Sequence, residues 1–420
     1  MGKFFSDKVE EGIRKVWMTY DKKEMRQGFA LLQEAADEGD ADGYCFLARC
    51  YMGKLYVWQW GELPVDDGIA ARYIRESVLR GSAAGILCAM RCNALSPSVR
   101  QKMPLSLKQA FDSVLEKAEG GHPFCQYMIG NAYYWGDMVD IEGETIYERF
   151  PTENDYERYA YPIAAGWYQK AFEGGYSFGF GNFRTIYEQG KGGIAPNPAL
   201  VEKWQKFVAD AGDASQQCDY GVELSAKGDL AGALHYFELS AAKGDVPAQY
   251  NAGFAYLAGR GTAVDKAKAY RYFQQAAEKG DPDAQFQLGN AYFDGDYFPQ
   301  DDAKAAYWLE KSAEQNCFWA YPQLARCYQN GWGVETNFPR AFWLLQQAEK
   351  QMDGYSNLFR GYVCQGLGRA YGWGRGVEED FERAVSYLDE GSRLGSENCS
   401  RMRSSFKKAM FGVGKWKRVD

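Results

Sequence analysis

Helix-like hydrophobic periodicity dominates the chain, and it is clearest in residues 265–280. In this stretch, DKAKAYRYFQQAAEKG, small and aromatic residues recur at three, four, seven and eight positions after Ala269. Such spacing places apolar side chains on one face of an α-helix, and the closing Gly280 is typical of a helix end. The pattern predicts an amphipathic helix that buries one face against a neighbouring element.

The same pattern returns along almost the whole chain. One copy lies 36 residues earlier and closes at Gly244, and another lies 36 residues later and closes at Asn316. Ten copies close at positions 39, 81, 121, 175, 212, 244, 280, 316, 352 and 395. Self-similarity at such a period indicates a repeat architecture in which each unit stacks on the next.

A second helical pattern lies between successive copies. In AQYNAGFAYLAG, residues 248–259, Ala252 and Gly253 share one face with the ring of Tyr256, and Gly259 ends the segment. Small residues at this spacing let two helices approach closely, so each unit is predicted to be an antiparallel helix pair. The predicted fold class is all-α, a solenoid (α-α superhelix) of about ten stacked pairs.

The two patterns together resemble the Sel-one-like repeats (SLRs), relatives of the tetratricopeptide repeats. The shared sequence is A-x-x-x-L-G-x-x-Y-x-x-G-x-G followed by D-x-x-K-A-x-x-W/Y-Y/F-x-x-A-A-x-x-G, and it departs from the family at 82–92 and 214–226. The resemblance implies a scaffold or adaptor that binds other proteins. Some family members carry a disulfide in each repeat, but the ten cysteines here show no fixed pair per unit.

A curved array of helix pairs offers the first helix of each pair as its inner, binding surface. The resemblance to tetratricopeptide repeats implies that four positions of A-x-x-x-L-G-x-x-Y-x-x, the third, seventh, tenth and eleventh, face a protein or peptide partner. In this chain the predicted binding residues are Arg49, Tyr127, Asn131, Tyr134, Trp135, Tyr250, Phe254, Phe286, Asn290, Phe293, Arg326, Asn330, Arg369 and Trp373. Aromatic rings supply contact area, and Arg and Asn hydrogen-bond a peptide backbone or carboxylate. The alternative is that many of the rings pack against a neighbouring repeat, because aromatic residues also dominate cores.

Composition and charge narrow the class of partner. The chain has 48 Lys and Arg residues against 56 Asp and Glu residues, a net charge of −8, which argues against a nucleic-acid partner bound over the whole surface. No apolar run approaches the ~20 residues that cross a bilayer, so no membrane span is expected. The first fifteen residues are too highly charged for a secretory signal. We therefore expect a cytoplasmic protein with reduced thiols.

Motifs for chemistry are few. Only two histidines are present, His122 and His235, so a three-histidine zinc site is excluded, and we expect both to be structural. Glycine runs such as 372–376 lack the Gly-Lys-Ser/Thr of a phosphate loop and are predicted to be repeat turns. Cys88 and Cys92 lie four residues apart without further ligands nearby, so buried cysteines are favoured over zinc. We expect no catalytic residues, no cofactor and no metal ion.

An acidic insertion interrupts the repeat array, which is predicted to span residues 1–400. The insertion lies at about 137–160, and Asp137–Arg158 carries eight acidic residues and two arginines. A loop inserted in one repeat lies on one side of such an array and often carries partner contacts. A solvated loop without function is the alternative.

The C-terminal segment 401–420 is basic, with seven Lys or Arg residues against Asp420. Met402, Phe406 and Met410 recur at helical spacing, which predicts a helix that caps the last repeat. A basic tail that contacts phosphates or a membrane surface is the alternative.

These observations favour a non-enzymatic scaffold or adaptor that binds a protein or peptide in the groove. One alternative is nucleic-acid or anionic-surface binding through the basic C-terminal segment. A second is an enzyme with an unrecognised acidic site, such as Glu142 with Glu144. Self-association, with the acidic insertion of one chain against the basic end of another, is a third.

Overall fold

The computed structural model describes residues 4–53, 63–143, 148–352, 356–408 and 416–418. The chain forms two compact units, residues 1–226 (the first unit) and 227–420 (the second unit). The described helices of the first unit are α1 (Asp7–Trp17), α2 (Lys22–Asp37), α3 (Ala41–Tyr51), α4 (Asp67–Leu79), α5 (Ala83–Arg91), α6 (Pro97–Arg100), α7 (Leu107–Glu119), α8 (Pro123–Tyr134), α9 (Met138–Glu142), α10 (Glu153–Glu173), α11 (Phe180–Gln189), α12 (Pro198–Ala211) and α13 (Ala214–Ala226), with a 3₁₀ turn at Lys191–Gly193. Those of the second unit are α14 (Leu230–Ala242), α15 (Val246–Ala258), α16 (Lys266–Glu278), α17 (Pro282–Asp294), α18 (Asp302–Glu314), α19 (Ala320–Asn330), α20 (Phe338–Glu349), α21 (Asn357–Gly372), α22 (Phe381–Arg393) and α23 (Glu397–Arg403), followed by strands β1 (Phe406–Lys408) and β2 (Trp416–Arg418).

Successive helices pack in pairs within each unit. In the first unit the pairs are α1 with α2, α3 with α4, α5 with α7, α8 with α10, and α11 with α12, and α13 packs on α12. In the second unit α14 packs on α15, and the pairs are α15 with α16, α17 with α18, α19 with α20, and α21 with α22. The predicted all-α repeat solenoid is confirmed.

Aspartates and glycines set the ends of the helices. The side chain of Asp245 accepts a hydrogen bond from the backbone N–H of Ala248 at 2.8 Å, which caps α15, and Asp281 caps α17 in the same way. The closing Gly280 has φ +97°, a left-handed conformation that glycine adopts without strain. Asn316 takes the equivalent place with φ +63°. The regular period in the sequence is therefore a period of helix ends.

The small residues of the first helices are needed for close helix packing. A Cβ atom on Gly253 would lie 2.8 Å from the ring of Phe273, and one on Gly289 would lie 2.8 Å from Cγ of Leu309. Real Cβ atoms do not approach other heavy atoms so closely. The predicted close approach between the two helices of a pair is confirmed at both positions.

A recurring glutamine links one repeat to the next. It lies near the start of a first helix, is buried, and donates from Nε2 to a carbonyl in the last turn of the preceding second helix. The pairs are Gln126 with Ala118 (3.1 Å), Gln217 with Ala209 (3.0 Å), Gln249 with Ala241 (3.4 Å) and Gln285 with Ala277 (3.2 Å). Each of these carbonyls also accepts a hydrogen bond from the backbone N–H of the closing glycine, so the glutamine adds a second bond that joins the two helices.

The C-terminal segment differs from the prediction of a helix over 401–420. Helix α23 ends at Arg403, and β1 pairs antiparallel with β2, with Phe406 opposite Arg418. Phe406 is buried against the rings of Trp373 (5.5 Å) and Phe381 (5.8 Å). The capping-helix prediction is therefore wrong at Phe406–Lys408 and Trp416–Arg418, because these segments pair as strands and bury the Phe406 ring where a continued helix was expected. Met410 lies outside the described residues.

The described part of the acidic insertion is folded onto the first unit. Met138 and Ile141 of α9 are buried, and the Asp137 carboxylate pairs with Nη1 of Arg91 at 3.0 Å. The ring of Phe150 stacks on Tyr159 with centroids 4.6 Å apart. The described parts of this segment therefore contribute to packing.

Candidate functional site

A pocket of about 420 Å³ crosses three successive first helices of the second unit, α17, α19 and α21. We call it the three-helix pocket. Its lining is aromatic, aliphatic, amide-bearing and cationic, and includes Phe286, Asn290, Trp319, Gln323, Arg326, Gln329, Asn330, Trp332, Leu345, Leu358, Phe359, Tyr362, Gln365 and Arg369. Its volume lies in the range of pockets that hold small ligands or a few side chains.

Five of the predicted binding residues line this pocket. They are Phe286, Asn290, Arg326, Asn330 and Arg369. They come from three different repeats, and Asn290, Arg326 and Arg369 occupy the same position, the seventh, of the first-helix pattern. The structure therefore brings together side chains that were each predicted from a position within their own repeat.

The face of α21 in the pocket changes in character along the helix. Leu358, Tyr362, Gln365 and Arg369 all line the pocket at helical spacing. Leu358 is 68% exposed and Tyr362 is 42% exposed, so the N-terminal end of the helix offers an apolar rim. Arg369 lies in the last turn, so the C-terminal end offers a cation.

Arg326 is held by uncharged groups. Its Nη1 donates to Oε1 of Gln323 at 2.8 Å. Its guanidinium carbon lies 5.1 Å from the ring centroid of Phe293 and 5.7 Å from that of Trp332. Cation–π contacts fix the guanidinium without neutralising it. Asn330 is ordered beside it, because Nδ2 donates to the Arg326 carbonyl at 2.8 Å.

The side chain of Arg369 is half-buried. Burial, with a smaller contribution from the neighbouring Arg375, lowers the pKa of Arg369 below its usual range. Both causes disfavour the charged guanidinium. An anion placed beside Arg369 would reverse that effect.

Asn290 supplies a buried hydrogen-bond acceptor. Its Oδ1 is shielded from solvent and accepts no hydrogen bond from the described residues. Buried polar atoms usually have a partner, so this oxygen is an exception within the pocket lining.

The other predicted binding residues of the second unit pack against neighbouring rings. Tyr250 lies 5.7 Å from Phe273 and stacks on Phe254, and burial raises the pKa of Tyr250 to about 12. Phe293 packs edge-on against Trp332, and Trp373 packs edge-on against Phe406 of the hairpin. All four rings are only partly exposed. This arrangement is the packing alternative considered for aromatic residues in the sequence.

In the first unit, Arg49 and Asn131 lie in the interior. Arg49 is 3% exposed, and its guanidinium carbon lies 4.9 Å from the ring centroid of Phe124. The Asn131 Oδ1 atom accepts a hydrogen bond from the Tyr168 hydroxyl at 2.7 Å. Neither side chain is accessible to a partner in this structure, so we do not include them in the proposed binding surface.

The remaining predicted residues of the first unit are aromatic. Tyr127 lies 5.2 Å from Tyr176, and Tyr134 stacks on Tyr161 at the same distance. Trp135 is 60% exposed. Tyr127 lines a cavity of about 40 Å³ together with Arg49 and Asn131.

Arg49 lines a small cavity of about 40 Å³ with Cys88. Its Nη1 donates to Sγ of Cys88 at 3.4 Å. A hydrogen bond from Cys45, together with Arg49, lowers the pKa of Cys88 below its usual range. The ten cysteines are thiols and form no disulfide, and the described residues contain no cluster of three or more His, Cys, Asp or Glu side chains suited to a metal ion.

Other groups considered in the sequence have structural contacts. His122 caps α8, since its Nδ1 accepts from the backbone N–H of Cys125 at 3.4 Å, while His235 packs edge-on against Tyr236. Glu142 pairs with Arg149 at 3.5 Å, and Glu144 lies outside the described residues.

Two described arginines of the C-terminal segment also bond within the chain. Arg403 pairs with Asp389 at 2.6 Å. Arg418 donates to the Gly372 carbonyl at 3.1 Å.

In the part of the chain that the structure describes, no helix has the length and apolar character of a membrane span.

The sequence reasoning missed Trp319, Trp332, Leu358, Phe359 and Tyr362. Trp319 and Trp332 lie just outside α19, in positions that a helix template does not cover. The other three lie in the first turns of α21, which has 16 residues where α15 and α17 have 13. The spacing of Leu358 and Tyr362 was the available signal, but the repeat pattern begins only later, near Leu367.

Two solved structures are similar to the chain over most of its length. No curated protein matches the chain. Among solved structures, c5321, a protective antigen of uropathogenic Escherichia coli with an SLR fold, is 20% identical, with 94% of this chain and 87% of that chain covered and a TM-score of 0.48. A Sel1 repeat protein from Oxalobacter formigenes is 22% identical, with 96% and 95% covered and a TM-score of 0.47.

The Sel1 repeat model matches eight segments, which together cover more than half of the chain. They are residues 21–40, 123–142, 155–176, 218–245, 246–281, 282–317, 323–351 and 362–396. The chain therefore belongs to the Sel1 repeat family.

Proposed function

We propose that the chain is a non-enzymatic scaffold that binds a peptide segment of a partner protein in the three-helix pocket. One observation carries this proposal: side chains predicted from three separate repeats converge on one pocket of about 420 Å³. Sel1 repeats are typically protein-interaction modules, so a binding surface on the first helices is consistent with the family.

The composition of the pocket supports a protein ligand. Aromatic residues and arginines are the residue types enriched among binding hot spots, and the pocket contains both. The exposed apolar side chains of Leu358 and Tyr362 stand at its edge. Exposed apolar side chains beside polar groups are typical of interaction sites. The amides of Asn290, Gln323 and Gln365 can bond to the backbone of a bound segment.

The proposal is tested by selection from an unbiased display library of short random peptides. Wild-type protein is compared with the double variant Leu358→Ala/Tyr362→Ala, whose exposed positions leave the fold intact. The matched control is Tyr307→Ala/Trp343→Ala, which removes two exposed rings from the second helices α18 and α20. Melting curves of all three proteins check folding.

We expect selected peptides to bind the control like the wild type and to bind the pocket variant at least about tenfold more weakly, since each hot-spot side chain contributes over 1 kcal/mol. Selection of no peptide, or of peptides that bind the pocket variant with unchanged affinity, would refute the proposal.

A further inference from the structure

The three-helix pocket has an excess of positive charge. Arg326 and Arg369 line it, and no Asp, Glu or Lys residue is found among its described lining residues. The chain as a whole carries a net charge of −8, so this local balance runs against the composition. Charge complementarity selects an anionic group as the ligand of such a site.

Other arginines of the second unit are used differently. Arg360 pairs with Glu390 at 3.0 Å, and Arg383 pairs with Asp380 at 3.4 Å. Arg326, by contrast, contacts an amide and two aromatic rings. Arg369 is half-buried, and burial, with a smaller contribution from the neighbouring Arg375, lowers its pKa. Arg326 is therefore held in place while its positive charge stays available to a ligand, and Arg369 adds a second positive charge to the same pocket.

The opposite end of the pocket is apolar. Leu358, Phe359 and Tyr362 lie in the first two turns of α21, and Trp319 immediately precedes α19. Along α21, a rise of ~1.5 Å per residue separates Arg369 from Tyr362 by about 10 Å and from Leu358 by about 16 Å. An extended peptide covers these distances in roughly three to five residues, at ~3.3 Å each.

We propose that the pocket recognises an internal acidic peptide motif, in which an Asp or Glu side chain lies about three to five residues from a large apolar side chain. The carboxylate binds between Arg326 and Arg369, and the apolar side chain packs against Leu358, Phe359 and Tyr362. The amides between the two ends bond to the peptide backbone. This inference rests on the proposed peptide-binding function and names the class of peptide.

The test uses fluorescent decapeptides that are acetylated at the N-terminus and amidated at the C-terminus. One set carries Phe with Glu three, four or five residues away, and matched sets replace Glu with Gln or Lys. Fluorescence anisotropy measures their affinity for the full-length wild type, for Arg326→Gln/Arg369→Gln and for the control Arg340→Gln. Arg340 is an exposed arginine on the second helix α20, so this control removes one positive charge outside the pocket, where the double variant removes two inside it.

We expect Glu peptides to bind the wild type at least about tenfold more tightly than Gln peptides, since a charge-assisted hydrogen bond exceeds a neutral one. The preference should shrink in high salt, disappear in Arg326→Gln/Arg369→Gln and persist in Arg340→Gln. Equal affinity for Glu and Gln peptides, or a Glu preference that survives loss of both arginines, would overturn the inference.

The peptides from the unbiased selection separate this failure from failure of the proposed function. Pocket-dependent binders that lack an acidic residue, or that need a free C-terminal carboxylate, overturn the acidic-motif inference and leave peptide binding in the pocket standing. If no pocket-dependent binder is selected, both proposals fail.

Discussion

A pair of glycine-to-alanine substitutions in one helix pair tests how closely the first and second helices pack. Gly130 lies on α8, where an added Cβ atom would come within 2.8 Å of two ring atoms of the buried Tyr168 on α10. Gly166 lies on α10 itself, is exposed, and has no atom within 4 Å of an added Cβ. The same chemical change therefore meets opposite surroundings.

The two free energies can be worked from the structure. Alanine is favoured over glycine in a helix interior by about 1 kcal/mol, so Gly166→Ala should stabilise the first unit by about 0.5–1 kcal/mol. Gly130→Ala gains the same propensity term but overpacks the core, which costs about 1–3 kcal/mol. Moving the Tyr168 ring also strains its 2.7 Å hydrogen bond to Asn131, which contributes about 1 kcal/mol. The net expectation for Gly130→Ala is a loss of about 1–3 kcal/mol.

Urea unfolding followed by far-UV circular dichroism measures both changes. For a unit of this size, 1 kcal/mol corresponds to a melting shift of about 2–4 °C, so thermal melts give a second reading. If Gly130→Ala were stabilised as much as Gly166→Ala, the close packing of α8 on α10 and the role assigned to small residues would be wrong.

Two further predictions concern the ends of helices and a buried acid. Asn316, with φ +63°, takes the place of the glycine that closes other repeats. In urea unfolding, Asn316→Ala should therefore lower the free energy of unfolding by about 1–2 kcal/mol, while Asn316→Gly should stay close to the wild type. Equal losses in both variants would contradict this expectation. Burial raises the pKa of Asp137 to about 6, against the opposing effect of Arg91. Since the folded state holds this proton more tightly than the unfolded chain, the contribution of Asp137 to stability is greatest at low pH and falls as pH rises from about 4 to about 6. The free energy of unfolding of Asp137→Asn should therefore gain on that of the wild type across this range, and a constant difference would refute the assignment.

Much of the fold could be predicted from the sequence, because local interactions fix the helices. The stripe from Ala269 to Gly280 contains its own apolar face and its own end, and Asp265 caps its start. The glycine that closes the stripe predicted a helix end, and the positive φ of Gly280 confirms that end. Gly253 predicted a close contact between two helices, because only a residue without a side chain leaves room for the ring of Phe273.

The C-terminal segment shows where local pattern misleads. Met402, Phe406 and Met410 have helical spacing, yet Phe406 lies in a strand. Its ring packs on Trp373 and Phe381, which are distant from Phe406 in the sequence and adjacent to it in space. Such a contact depends on which apolar side chains of the last helix pair, α21 and α22, no other helix covers.

For the candidate site, the sequence by itself determined which positions of each first helix carry aromatic, arginine and amide side chains. Only tertiary structure decided their roles. Arg49 and Arg326 were predicted from equivalent positions, but Arg49 is enclosed by Trp17, Phe124 and Cys88, whereas Arg326 lies in an open pocket. A repeat specifies the face of a helix through local periodicity, while the burial of that face depends on helices that are remote in the sequence and pack over it.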